Sequence, residues 1–225
     1  MTTTTLKRYL GSSITKKQLM AITGLSLCLF LLGHLIGNCL IYVGPEAFNT
    51  YGHTLITNPL IYVAEAGLAA MFLIHIVLAI KLTMENKAAR PVNYYMKKSS
   101  GRGETFASNT MPYTGLIILI FLVLHLLHFK FGPNYTVVHS GVEMRDLYRM
   151  VVEYFSHIGN VVWYIFAMVA LGIHVSHGFW SAFQSFGINH QKYNCTLKCV
   201  SKLYAVFITI GFAALPIYCY LQGAN

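Results

Sequence analysis

The stretch IGNVVWYIFAMVALGIHVSHGFWSAF, running from Ile158 to Phe183, is 26 residues long, has no Asp, Glu, Lys or Arg, and carries His174 in its second half. At 1.5 Å of rise per residue, a helix of this length crosses an apolar bilayer core of about 30 Å. An ionisable side chain inside such a span is costly to bury, so His174 marks a functional site by default.

Working outward, the same pattern recurs. Spans are predicted at Leu19 to Val43, Leu60 to Leu82, Tyr113 to Phe131, Ile158 to Phe183 and Leu203 to Leu221. The whole chain of 225 residues is 56% hydrophobic and 10% charged, outside the range of soluble domains. The predicted fold is therefore an all-α integral membrane protein, a single domain of five transmembrane helices. Pro216 is expected to kink the fifth.

The net charge of +9 does not indicate nucleic acid, because the basic residues are few and scattered between apolar runs. They sort by side instead. The N-terminus, the second loop (Lys81, Lys87, Arg90, Lys97, Lys98 and Arg102, with Gly101 and Gly103 as breakers) and the fourth loop hold 13 of the 16 Lys and Arg residues. Only Lys130, Arg145 and Arg149 fall on the other side. The positive-inside rule puts the N-terminus in the cytoplasm and the C-terminus outside.

No cleavable signal is expected, since the apolar run after Lys16 and Lys17 is too long for a signal core. The five cysteines, Cys28, Cys39, Cys195, Cys199 and Cys219, form no C-x-x-C pair and read as small buried residues. Gly44 to Asn58 reads as a short outer loop, and His190, Lys192 and Lys198 as loop residues before the fifth span. GVEMRDLYRMVVEYFS in the third loop reads as a surface helix, with Val142, Leu147, Met150, Val151 and Tyr154 on one apolar face and Arg149 and Glu153 at i,i+4.

With this topology, depth becomes readable. His34 and His125 lie late in outward-running spans, in the outer half of the membrane; His75 and His174 lie late in inward-running spans, in the inner half. Two pairs at two depths, each drawn from two helices, suit two stacked haems with an imidazole on each face of the iron inside a four-helix core. Imidazole also binds copper and other metals. Glycines are expected where a porphyrin edge approaches a backbone, and Gly33, Gly37 and Gly172 lie beside these histidines. A weak repeat, TGLSLCLFLLGHL from Thr23 and TGLIILIFLVLHL from Thr114, puts a histidine at the same place in both spans and favours His125 over His128. Depth favours His174 over His177, leaving His128 and His177 to hydrogen-bond haem propionates or neighbouring helices.

FLLGHLIGN around His34, PEAFNTYGH from Pro45 to His53, FLIHIVLA around His75, TGLIILIFLVLH ending at His125 and GIHVSHGFWS around His174 together resemble the di-haem, five-helix cytochrome b subunit of succinate dehydrogenase and fumarate reductase. The likeness runs over nearly the whole chain, the long third loop excepted. It implies two haems b, with His34 and His125 on the outer and His75 and His174 on the inner. It also implies a bacterial cytoplasmic membrane location, a flavoprotein and an iron-sulfur subunit as partners on the cytoplasmic face, and quinone, with menaquinone expected, as the redox partner in the lipid. Dicarboxylate chemistry would belong to the partners. Quinol oxidation releases protons, and Glu65 and Glu46 are the carboxylates on the outer side that would take them. Glu65 lies about 9 Å along its helix from the outer boundary, where an unpaired charge is costly, and the competing reading is a protonated or paired helix contact. Two other readings stay open: a di-haem anchor for a periplasmic hydrogenase or formate dehydrogenase, and a haem-free transporter relaying protons through its histidines.

Overall fold

Glycine and proline set the first departure from the expected topology. In the computed structural model, which describes residues 11–89 and 105–223, the stretch after the first span is a helix and not a loop. Gly44 adopts φ 136°, a conformation closed to most side chains, and Pro45 then occupies the first helical turn with Glu46 beside it. These are helix-start signals, and PEAFNTYGHTLIT follows as a helix too polar to be a span. Lys7, Arg8, Arg90, Lys97, Lys98, Arg102, Gly101 and Gly103 lie outside the described residues.

In chain order the elements are α1 (Ser13–Asn38) with a 3-10 turn (Cys39–Tyr42), α2 (Pro45–Thr57), α3 (Leu60–Ala88), and α4 (Phe106–His125) running on into a π-helical turn (Leu126–Lys130). A hairpin of β1 (Thr136–His139) and β2 (Val142–Arg145) follows, then α5 (Leu147–Phe155), α6 (Ile158–Ser185) and α7 (Gln191–Gly223). Five of the helices, α1, α3, α4, α6 and α7, are long and apolar enough to cross a membrane. Each extends past its predicted run at one end or both, and the extended starts of α1 and α4 are capped by side chains. Ser12 accepts from the Thr15 N–H at the start of α1, and Thr105 and Ser108 form a reciprocal capping box at the start of α4. α7 begins three turns before Leu203, so Lys192, Lys198, Cys195 and Cys199 stand on a helix, and both of these cysteines are exposed, as is Cys39. Of the five expected to be buried, Cys28 and Cys219 are.

The third connection also differs from a single surface helix. Ser140 and Gly141 both take positive φ, 51° and 79°, and close an antiparallel hairpin with Thr136 opposite Arg145 and His139 opposite Val142. Val142 therefore belongs to a strand. Leu147, Met150, Val151 and Tyr154 do lie on α5, and Arg149 and Glu153 approach to 3.9 Å. Asp146 caps α5 by accepting from the Arg149 N–H at 3.0 Å. The hairpin is tied to α2 through Asn49, which is fully buried: its Nδ2 donates to Asp146 at 3.0 Å and its Oδ1 accepts from the Tyr148 N–H at 2.9 Å. Arg145 donates to the carbonyl oxygens of Pro133 and Gly132 at 2.9 and 3.3 Å, and burial pulls its pKa below the ordinary arginine value.

The long helices pack in the order α3, α1, α6, α4, with α7 laid mainly against α6. No extended contact joins α3 to α4 among the described residues, so the four form an arc whose ends leave an open side. α3 buries none of its residues and α4 only Thr114. The buried core sits instead between α1, α6 and α7, around Leu35, Ala167, Met168, Ile208 and Cys219.

Candidate functional site

The arc fixes which histidines can meet. α1 and α4 stand on one diagonal, α3 and α6 on the other, and the inward-facing imidazoles pair across them. The His34 and His125 rings are 5.9 Å apart at 83°, and the His75 and His174 rings are 6.5 Å apart at 63°. Two imidazoles bound to one metal on opposite faces, with bonds of about 2 Å, put their ring centres about 6.3 Å apart. Both pairs lie close to that spacing. Two imidazoles are too few for an ordinary protein-only metal site, and no group of three or more His, Cys, Asp or Glu side chains converges among the described residues. A metal that brings its remaining ligands with it, as haem does, suits this donor set.

The surroundings of the two pairs differ. His75 Nδ1 lies 3.2 Å from Thr23 Oγ1 on α1, and His174 Nδ1 lies 3.1 Å from Thr114 Oγ1 on α4. Each threonine already directs its hydroxyl hydrogen back along its own helix, Thr23 to the Leu19 carbonyl at 2.9 Å and Thr114 to the Thr110 carbonyl at 3.1 Å. This places each hydroxyl oxygen to accept from an imidazole Nδ1–H, the arrangement that leaves the Nε2 lone pair free for a metal, and the His174 ring also hydrogen-bonds the Met111 backbone. Gly24 and Gly115, next in sequence, provide the room: a Cβ there would stand 3.4 and 3.5 Å from Cε1 of His75 and His174.

The other pair is enclosed chiefly by rings. Phe30 stacks on His34 at 5.2 Å and Phe212 approaches it at 5.8 Å, while Phe121 and Phe129 flank His125 at 5.5 and 5.2 Å. The Tyr164 hydroxyl is 3.4 Å from His125 Nδ1, and Asn38 Nδ2 is 3.4 Å from His34 Nε2. One turn past a member of each pair, His128 and His177 have buried Nδ1 atoms without a hydrogen-bond partner among the described residues. His128 lies against Tyr154, and His177 lies edge-on to Trp180.

The remaining expectations sort unevenly. Gly172 serves the α6–α7 contact, its Cα facing Thr209, and Gly37 makes room for Tyr51 of α2; only Gly33 faces open space, so two of the three glycines have protein neighbours where a porphyrin edge was expected. Glu65 is a paired helix contact. It forms an ion pair with Lys130 at the end of the π-helical turn. Glu46 sits in the first turn of α2 and accepts from Ser140 Oγ of the hairpin at 2.8 Å. At the opposite end of the bundle Lys16 bridges α1 to Glu85 of α3 at 2.5 Å.

Thr23, Gly24, Thr114 and Gly115 carried no role in the sequence reading, although they open both copies of the repeat. Threonine and glycine are weak helix formers, glycine by about 1 kcal/mol relative to alanine. Finding them adjacent in the interior of two apolar helices was the available signal. No family model, curated protein or solved structure matches the chain.

Proposed function

We propose that the chain is a membrane cytochrome b that holds two haems, His34 and His125 on one and His75 and His174 on the other, and that it anchors a succinate dehydrogenase or fumarate reductase. The observation that carries this is the pairing of four histidines at metal-bridging distance and at two levels. Thr23 touches His75 while His34 lies eleven residues further along the same helix, so the levels are about 16 Å apart. Two such levels within an apolar core of about 30 Å favour an electron relay across the membrane.

When bound, haem supplies reversible one-electron chemistry at each level. The paired histidines would hold the iron by Nε2, Thr23 and Thr114 would fix the His75 and His174 tautomers from Nδ1, and Phe30, Phe121, Phe129 and Phe212 would exclude water around His34 and His125. In the membrane the basic end, with Lys16, Lys17 and Lys87, faces the cytoplasm, where a flavoprotein and an iron-sulfur subunit dock. The hairpin end faces the periplasm, and there Glu65 and Glu46 take the protons of a quinol, menaquinol by preference. The C-terminus then lies outside a bacterial inner membrane.

Haem per polypeptide, by pyridine haemochrome and reduced-minus-oxidised spectra on the detergent-purified protein with its co-purifying subunits, tests this. The expected result is two haems b with flavin and iron-sulfur centres. A fully loaded preparation without haem overturns it and leaves the histidines as relay or packing groups. Haem with a hydrogenase or formate dehydrogenase in place of the flavoprotein would reassign the partner.

A further inference from the structure

The repeat gives each of its two helices two jobs. α1 carries His34 for one pair and Thr23 for the other; α4 carries His125 for one pair and Thr114 for the other. Each hydroxyl thus acts on a histidine of the neighbouring helix with which its own helix packs, α3 for Thr23 and α6 for Thr114. The Thr-Gly dipeptides are equivalent by sequence, and Gly24 and Gly115 both face a histidine Cε1 at nearly the same distance, while the His174 ring has a further hydrogen bond to the Met111 backbone. Two independent instances of one geometry separate it from an accidental contact between helices.

We infer that Thr23 and Thr114 are positioning residues that set the orientation and donor strength of His75 and His174, and so tune the redox potential of one haem of the two. This rests on the haem reading above. A hydroxyl oxygen accepting from Nδ1–H fixes the ring and makes Nε2 a stronger donor. A stronger axial donor favours ferric over ferrous iron and lowers the potential. The hydroxyl is placed to accept here, because carbonyls three and four residues back lie within reach of its own hydrogen. No comparable acceptor stands at His34, whose contact is at Nε2.

The test is a redox titration of the complete complex, with low-temperature electron paramagnetic resonance of the ferric haems, for Thr23→Val, Thr114→Val, the double variant and the two Thr→Ser controls. The component belonging to His75 and His174 is assigned beforehand as the one lost in His174→Ala. The expected result is two haems retained, with that component moved to higher potential in each valine variant and further in the double one. Its ferric signal shifts as the rings turn, the other component stays fixed, and serine restores both readouts. If valine destabilises haem binding, Thr23→Ala and Thr114→Ala remove the oxygen without placing a methyl against the ring. Unchanged potentials and signals with both haems present would overturn the inference while leaving the haem reading intact, and so would loss of haem in the valine and alanine variants alike. Absence of haem from the wild-type protein would overturn the reading itself.

Discussion

The two histidine pairs are built from the same four helices and differ in what touches them. His75 and His174 are each held at Nδ1 by a threonine from an adjacent helix, with a glycine making space for the ring. His34 and His125 are walled by phenylalanines, with one longer contact from Tyr164 and one from Asn38. One pair is oriented by hydrogen bonds and the other by packing. Hydrogen bonds restrict a ring to one tautomer and a narrow range of tilt, whereas aromatic walls restrict it by shape alone. The pairs should therefore respond differently to the same insult.

Removing a ligand gives the largest effect. His174→Ala and His34→Ala are each expected to reduce the haem count from two per chain to one, read by pyridine haemochrome, with the surviving component different in the two variants. Retention of both haems in either variant would break the comparison, because that histidine would not be a ligand.

Next comes the proton handling proposed for the hairpin end. Glu65→Gln keeps the size of the side chain and abolishes both the ion pair with Lys130 and the carboxylate proposed as the base. Quinol oxidation by the complex is expected to fall by about a hundredfold, the scale of a lost general base, with both haems retained. A rate within twofold of wild type would remove Glu65 from the reaction and leave it a helix-to-helix contact.

A smaller effect is expected from Asn49→Leu. Asn49 joins α2 to the hairpin and α5, and the substitution leaves the Tyr148 N–H and the Asp146 carboxylate short of a partner in a buried place. The cost is about 1–3 kcal/mol. Because this cap covers the hairpin end, thermal loss of haem from the His34–His125 pair should come at lower temperature while the other pair is unaffected, as followed by visible absorption. Equal loss from both pairs would show that the hairpin end supports the whole bundle.

The long elements were legible because they are written in composition: the apolar runs became five long helices, and topology sorted the histidines into the pairs whose rings meet. What escaped was written in a few residues. Pro45 and Glu46 signalled a helix start, but an amphipathic helix between two spans carries no hydropathy peak, so the segment passed as a loop. The Ser140-Gly141 turn was hidden inside a stretch whose later half is helical, and helical spacing was extended back over Val142. The partner of Glu65 was not legible because Lys130 is 65 residues away in the chain and meets it only through the packing of the bundle. The glycines show the same limit: their value depends on what lies opposite, which for Gly172 and Gly37 is protein.

The finest probe of the comparison is a single methyl group added to α1 at either level. Gly24→Ala removes a helix-weakening glycine, an expected gain of about 0.5–1 kcal/mol, and its Cβ would stand 3.4 Å from His75 Cε1, ordinary contact. Gly37→Ala offers the same gain, but its Cβ would come within 2.6 Å of the Tyr51 hydroxyl and 2.8 Å of its ring. Tyr51 would have to swing away from α1, and overpacking of this kind costs about 1–3 kcal/mol. The expected outcome is that Gly24→Ala leaves thermal stability equal or slightly raised with the haem spectrum unchanged, while Gly37→Ala lowers it. Should Gly24→Ala perturb the ferric signal of the His75–His174 haem, the pocket at that level is tighter than the ring contacts imply, and glycine there is required by the histidine itself.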